Sequence, residues 1–214
     1  MTVTRSGAGC AATLALLITV SGCGGGSTPL PSHPDPTSSA TGSSAAAPIS
    51  TGCSPNLVPT GYTIDAKHSG KLTAHSYSAA AEVQAALEYD QLQSGAREVF
   101  VHSAGRRTDG VATCVAMQFP SAHLAGRFFM SYRALRKQAG SLVAEVSIPG
   151  GASGLSGATG YLERDQSFRG YQIASTDVIE FSGQDGRRLD IVSVAGATPS
   201  RSLGHKLLVA MANQ

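Results

Sequence analysis

The strongest constraint on the fold is a two-residue alternation that ends at a proline and passes into a helix. Val111, Thr113, Val115, Met117 and Phe119 fall on one face of an extended chain, and Cys114 falls on the other. Glu98 to Ser103 reads as the partner strand, with Ala104 to Gly110 as a polar turn between them. Pro120 stops the strand because it lacks the N–H that a ladder needs, and Ser121 caps a helix running to about Ala139. Leu124, Phe128, Tyr132, Leu135 and Ala139 recur at helical spacing, so this helix has an apolar face to bury. Arg127, Arg133, Arg136 and Lys137 lie mostly off that face, and Gly140 is a natural stop.

The same order of elements returns near the C-terminus. Asp177 to Ser182, a turn over Gly183 to Arg188, and Leu189 to Ala195 make a second hairpin. Pro199 and Ser200 then open a helix carrying Leu203, Leu207, Ala210 and Met211. Gly105-Arg106-Arg107 aligns with Gly186-Arg187-Arg188, and Pro120-Ser121-x-x-Leu124 aligns with Pro199-Ser200-x-x-Leu203. This predicts a duplicated ββα unit; the alternative is two unrelated amphipathic segments of like pattern. Ser78 reads as the cap of a helix over Ala79 to about Tyr89, and Leu142–Ile148 and Gly160–Glu163 read as further strands. Ser54 to Gly70, with Pro55, Pro59 and Gly61, reads as loop with at most a short strand. The glycine-rich run from Pro149 to Gly157 is a flexible loop and a candidate ligand entrance. The expected fold is α+β: a mainly antiparallel sheet with helices on one face.

The N-terminus carries information on location. Arg5 precedes an apolar run of about ten residues, Ala11 to Val20, which is signal-peptide length and short of the roughly 20 residues of a spanning helix. Val20-Ser21-Gly22-Cys23 then resembles the bacterial lipobox, the alternative being a plain secretory signal with a chance cysteine. The resemblance implies a diacylglycerol on Cys23 and cleavage before it, so residues 1–22 would be signal peptide and the mature protein lipid-anchored at the extracytoplasmic face of a cell membrane. Two or three acyl chains make such an anchor stable, because each buried CH₂ contributes about 0.8 kcal/mol. Arginines outnumber lysines twelve to four and Trp is absent, a bias that with the lipobox points to an actinobacterial host. Residues 23–52 are Gly, Ser, Thr, Pro and Ala with almost no large apolar side chain, and read as a disordered tether. Residues 53–214 are then expected to form one domain.

With Cys10 in the signal and Cys23 lipidated, Cys53 and Cys114 remain. In an oxidising exterior they are expected to pair as a disulfide, the alternative being two buried thiols. A net charge of +2 is too small to suggest nucleic acid. No nucleophile elbow, paired-histidine metal motif, P-loop or dinucleotide fingerprint is present, so no catalytic residue, metal or cofactor is expected. Arg106, Arg107, Arg187 and Arg188, at the two hairpin turns, are candidate contacts for anionic polymer or lipid headgroups; the competing reading is charge that keeps the turns soluble. Ala85–Arg97, Val115–Phe119 and Ile148-Pro149-Gly150 are similar to uncharacterised actinobacterial lipoprotein domains, a resemblance that implies no activity. The expected role is a membrane-anchored binding or interaction module for envelope protein or polymer. The alternative is a carrier or sensor that holds a hydrophobic lipid or cell-wall ligand in a sheet–helix pocket. Packing of Phe128, Phe129 and Tyr132 onto the sheet separates the two.

Overall fold

The computed structural model describes residues 48–78, 80–105, 107–138, 142–149, 154–164, 171, 173, 177–196 and 198–214. The expectations for the signal peptide, Cys23, most of the tether, Arg106 and Gly150–Ser153 lie outside those residues. The fold is α+β. Eight antiparallel strands form one sheet: β1 (Tyr62–Ile64), β2 (Gly70–Leu72), β3 (Ser94–Ala104), β4 (Arg107–Gln118), β5 (Leu142–Val146), β6 (Ser156–Arg164), β7 (Asp177–Asp185) and β8 (Arg188–Gly196). Their order is β1-β3-β4-β8-β7-β6-β5, and β2 pairs with β3 beyond the end of β1. Among the described residues four α-helices accompany them: α1 (Ala74–Tyr77), α2 (Ala81–Tyr89), α3 (Ala122–Gln138) and α4 (Arg201–Ala212).

Both hairpins form as the alternation predicts. Each turns on a glycine in the left-handed region, Gly105 (φ +66°) and Gly186 (φ +52°), which β-hairpin turns favour. The caps also form: Ser121 and Ser200 accept from the amides of Leu124 and Leu203, at 3.2 and 3.1 Å. The second helix differs, since α2 begins at Ala81 with no side-chain cap.

The helices do not share one face. On β4, Val115 and Met117 lie beneath α1–α3, in a cluster with Tyr77, Leu87, Phe128, Phe129 and Tyr132. Ala112, Cys114 and Ala116 lie beneath α4, with Leu203, Leu207, Leu208 and Met211. The physical reason lies in the two central strands, which are apolar at both parities: Leu189 and Ile191 of β8 face α3, while Val192 and Val194 face α4. Such a strand needs cover on both sides. This bears on the repeat as well. The order strand, strand, helix does recur, but the two hairpins meet as antiparallel neighbours through β4 and β8. A two-fold axis relating antiparallel neighbours stands perpendicular to the sheet and would keep both helices on one face. Helices on opposite faces break that relation.

The domain boundary also shifts. Ile49 packs against the α4-side core, and Thr51 is fully buried. Residues 49–52 therefore pack with the domain, ahead of the expected start at Cys53. Cys53 and Cys114 form a disulfide with Cα atoms 6.5 Å apart. It pins this N-terminal strap onto the α4 side of the sheet.

Candidate binding groove

The α4 side is not covered completely. Helix α4 lies over β8, β7 and β4, leaving the lower end of β3 and the short strand β2 to other cover. There an open groove of about 900 Å³ lies between two walls. Ala96 and Ser94 of β3 are on its floor, and Lys71, opposite Ala96 in register, shares their face.

The inner wall is the strap Pro48–Thr51. Its position is set by the disulfide two residues later and by the Thr51 hydroxyl, which donates to the Glu98 carboxylate. The Thr51 oxygen also accepts from the Cys53 amide at 3.2 Å. The outer wall is the β1–β2 connection, contributing Ile64, Ala66 and Ser69. An Asx turn shapes it, with Asp65 Oδ1 accepting from the Lys67 and His68 amides at 2.9 and 3.3 Å. Two further bonds tie it to β3: the Asp65 amide donates to Val99 O at 2.8 Å, and the Val99 amide to Ser69 Oγ at 3.0 Å. On its far side the Tyr171 hydroxyl donates to Asp65, whose other partner is His68 Nδ1 at 2.7 Å. Burial works against ionisation of Asp65, but the hydrogen bonds from Tyr171 and His68 outweigh it and hold the carboxyl at about 2.

On the opposite face α3 packs directly onto the sheet among the described residues. Phe128, Phe129 and Tyr132 of α3 are at most 4 % exposed, with Phe128 stacked between Phe119 and Tyr132 at centroid distances of 5.4 and 6.0 Å. Beside them lies a buried polar network. Glu180 accepts from Tyr132 Oη at 2.8 Å and from Ser193 Oγ at 3.2 Å, and Arg136 lies between Glu180 and Glu163. Burial would lower the Arg136 pKa, but Glu180, Tyr132 and Glu163 outweigh that and keep the guanidinium charged. Burial, reinforced by Glu180, pushes the Tyr132 hydroxyl far up. Arg136 was expected off the buried stripe; it is four residues beyond Tyr132, and so on it by helical spacing.

Of the four turn arginines, the three that are described do not converge. Arg188 pairs with Gln118 at one end of β4, whereas Arg107 begins the strand at the other, about 36 Å away at 3.3 Å per residue. Arg107 and Arg187 are exposed, while Arg188 Nε turns in to Asp190 at 2.8 Å. Burial raises the Asp190 pKa to about 6, with Arg188 pulling partly against it. Of the expected entrance loop, Pro149 and residues 154–157 are described: Ser156 and Gly157 already belong to β6, and Leu155 packs against the α4-side core rather than standing open.

A smaller hollow lies where β1 meets the start of α4. His102 Nδ1 is 2.5 Å from Asp109 Oδ1 and its ring packs on Tyr62. Ser200, on the wall of this hollow, has its oxygen engaged as the α4 cap. Among the described residues no three metal-ligating side chains gather into a metal site.

No family model matches the chain, and none of the curated proteins matches it. Among solved structures it is similar to the extracellular domain of PknH from Mycobacterium tuberculosis, with 10 % identity, a TM-score of 0.44, and coverage of 72 % of this chain and 78 % of that one. At that level of similarity nothing about activity or partners transfers.

Proposed function

We propose that the protein is an extracytoplasmic, membrane-anchored module that binds an envelope component without chemistry, and that the groove between the strap and the β1–β2 connection is its binding surface. One observation carries this reading: an open, partly apolar groove of about 900 Å³ stands on the face that is otherwise closed by α4. Its size is within the range of small-ligand sites. The lipobox-like Val20–Cys23 supports the anchor, and the Cys53–Cys114 disulfide supports an oxidising exterior. The alternative of a sheet–helix pocket beneath α3 is disfavoured, because Phe128, Phe129 and Tyr132 pack onto the sheet.

The test is native mass spectrometry with lipid extraction on the full-length gene product purified from its own envelope. Wild-type protein is expected to carry a stoichiometric companion that Ala96→Arg loses. A companion retained by the variant, or a bare wild-type mass, overturns the groove as the binding surface. The anchor is tested separately: Cys23→Ala should leave the membrane fraction, and undiminished membrane retention contradicts lipidation.

A further inference from the structure

We propose that the groove takes an anionic amphiphile, a single acyl chain ending in a carboxylate or phosphate, held by Lys71 and Ser94; this rests on the groove being the binding surface. Three observations combine. The walls present Ile49 on one side and Ile64 and Ala66 on the other, and the floor at Ala96 is small, so an unbranched apolar chain fits lengthwise. Ile64 is 49 % exposed at the groove wall, so a ligand seated there would cover apolar surface.

The second observation is a polar group without a partner. Ser94 lines the groove and is 8 % exposed, yet its hydroxyl has no hydrogen-bond partner among the described residues. A buried hydroxyl left unpaired is costly; its oxygen is covered as it stands, and rotation about the Ser94 Cα–Cβ bond toward the groove would let a ligand oxygen accept from it and remove that cost.

The third is the placement of charge. Lys71 is opposite Ala96, and Ser94 is two residues further along β3 on the same face. That diagonal spacing is about 7–8 Å between Cα atoms, within reach of a lysine side chain. The ammonium and the hydroxyl can therefore meet on one anion. The other charged side chains of the lining are committed elsewhere. Glu98, the other diagonal neighbour of Lys71 on this face, accepts from Thr51 and makes no ion pair with Lys71 among the described residues, and Arg97 donates from Nε to His68 O at 2.7 Å and from Nη1 to Ser76 O at 3.3 Å. An acceptor-bearing anion thus has two converging donors at one end of an apolar trough.

A photoactivatable diazirine analogue of palmitate, added to envelope membranes containing the full-length protein, tests the proposal. Cross-links are expected on residues 48–51 and 93–98, displaced by palmitate or by anionic lysophosphatidylglycerol and not by zwitterionic lysophosphatidylcholine. Displacement by palmitate and not by the lysophospholipid assigns a carboxylate head, and displacement by both shows that a phosphate head is accepted as well; either supports the proposal, and labelling that palmitate does not displace overturns it. Lys71→Gln and Ser94→Ala should each weaken labelling about tenfold, since each removes a bond to a charged group. Lys71 is exposed, so its replacement leaves folding intact, which the urea midpoint verifies. Labelling outside the groove, equal displacement by the zwitterion, or labelling unchanged in Lys71→Gln overturns the proposal. If the probe fails to label while Ala96→Arg strips a polypeptide from the purified protein, the ligand class is wrong and the binding module stands.

Discussion

The two faces of the sheet solve the same problem differently. Beneath α3 the cover is aromatic, and Arg136, Glu163, Glu180 and Tyr132 form one buried polar network there. Beneath α4 the helix is narrower in reach. The rest of the cover comes from an N-terminal strap held by a disulfide and from a short loop held by an Asx turn. Cover built from backbone segments leaves a gap where a helix would not. On the function proposed above, the gapped face serves recognition and the covered face stability.

The largest test of this contrast is Phe128→Ala. It should cost up to about 5 kcal/mol in the urea unfolding free energy, because a stacked aromatic leaves a cavity. A loss under 1 kcal/mol would mean that α3 does not pack directly onto its face. Removing the disulfide with Cys53→Ser and Cys114→Ser should cost about 4 kcal/mol in the chain-entropy model, the bridge spanning 61 residues. It should also release the inner wall, seen as faster amide exchange over residues 48–52. Loss of stability with no change there would detach the strap from the groove.

Arg136→Met leaves Glu163 and Glu180 buried without their shared guanidinium, an expected loss of about 3 kcal/mol. On the other face the prediction concerns pH. The Asp190 pKa is raised in the fold, so the folded state binds this proton more tightly than the unfolded chain. Its contribution to stability is therefore gained as pH falls through about 6 and is complete below about 4. The gain is roughly 2–3 kcal/mol by the size of the shift. Asp65 has the opposite sign: its contribution is present above about 4 and lost as pH falls toward 2. The urea midpoint should climb between pH 7 and 4 and fall below it, and Asp190→Asn should flatten the climb. A climb unchanged in that variant assigns it to another group. The smallest stability effect is expected from Ala96→Arg, below about 1 kcal/mol because the side chain enters an open groove.

The hairpins, the long helix and the pairing of Cys53 with Cys114 were legible because each rests on a local or countable signal. Alternation placed Cys114 on the face opposite Val115 and Met117, and the structure puts it there. The placement of α4 was not read correctly, although Leu189, Ile191, Val192 and Val194 carry the signal: a strand apolar at both parities is covered twice. The groove was out of reach for another reason. Gly70–Leu72 is too short to show a period, and Pro48–Thr51 has the composition of the tether that precedes it. What makes both into walls is long-range: a disulfide, the Thr51–Glu98 bond and pairing with β3. The buried network was half legible. Arg136 follows Tyr132 by one helical turn, and Glu180 interrupts an apolar strand, but nothing in the sequence says that they meet.

Amide hydrogen exchange on the full-length gene product, as purified from its envelope and again after its companion is stripped, tests the contrast between the faces most directly. Stripping should raise exchange over residues 48–51, 66–72 and 93–98 and leave residues 122–138 of α3 unchanged. A change concentrated on α3, with the groove segments unaffected, would place recognition on the face assigned here to stability.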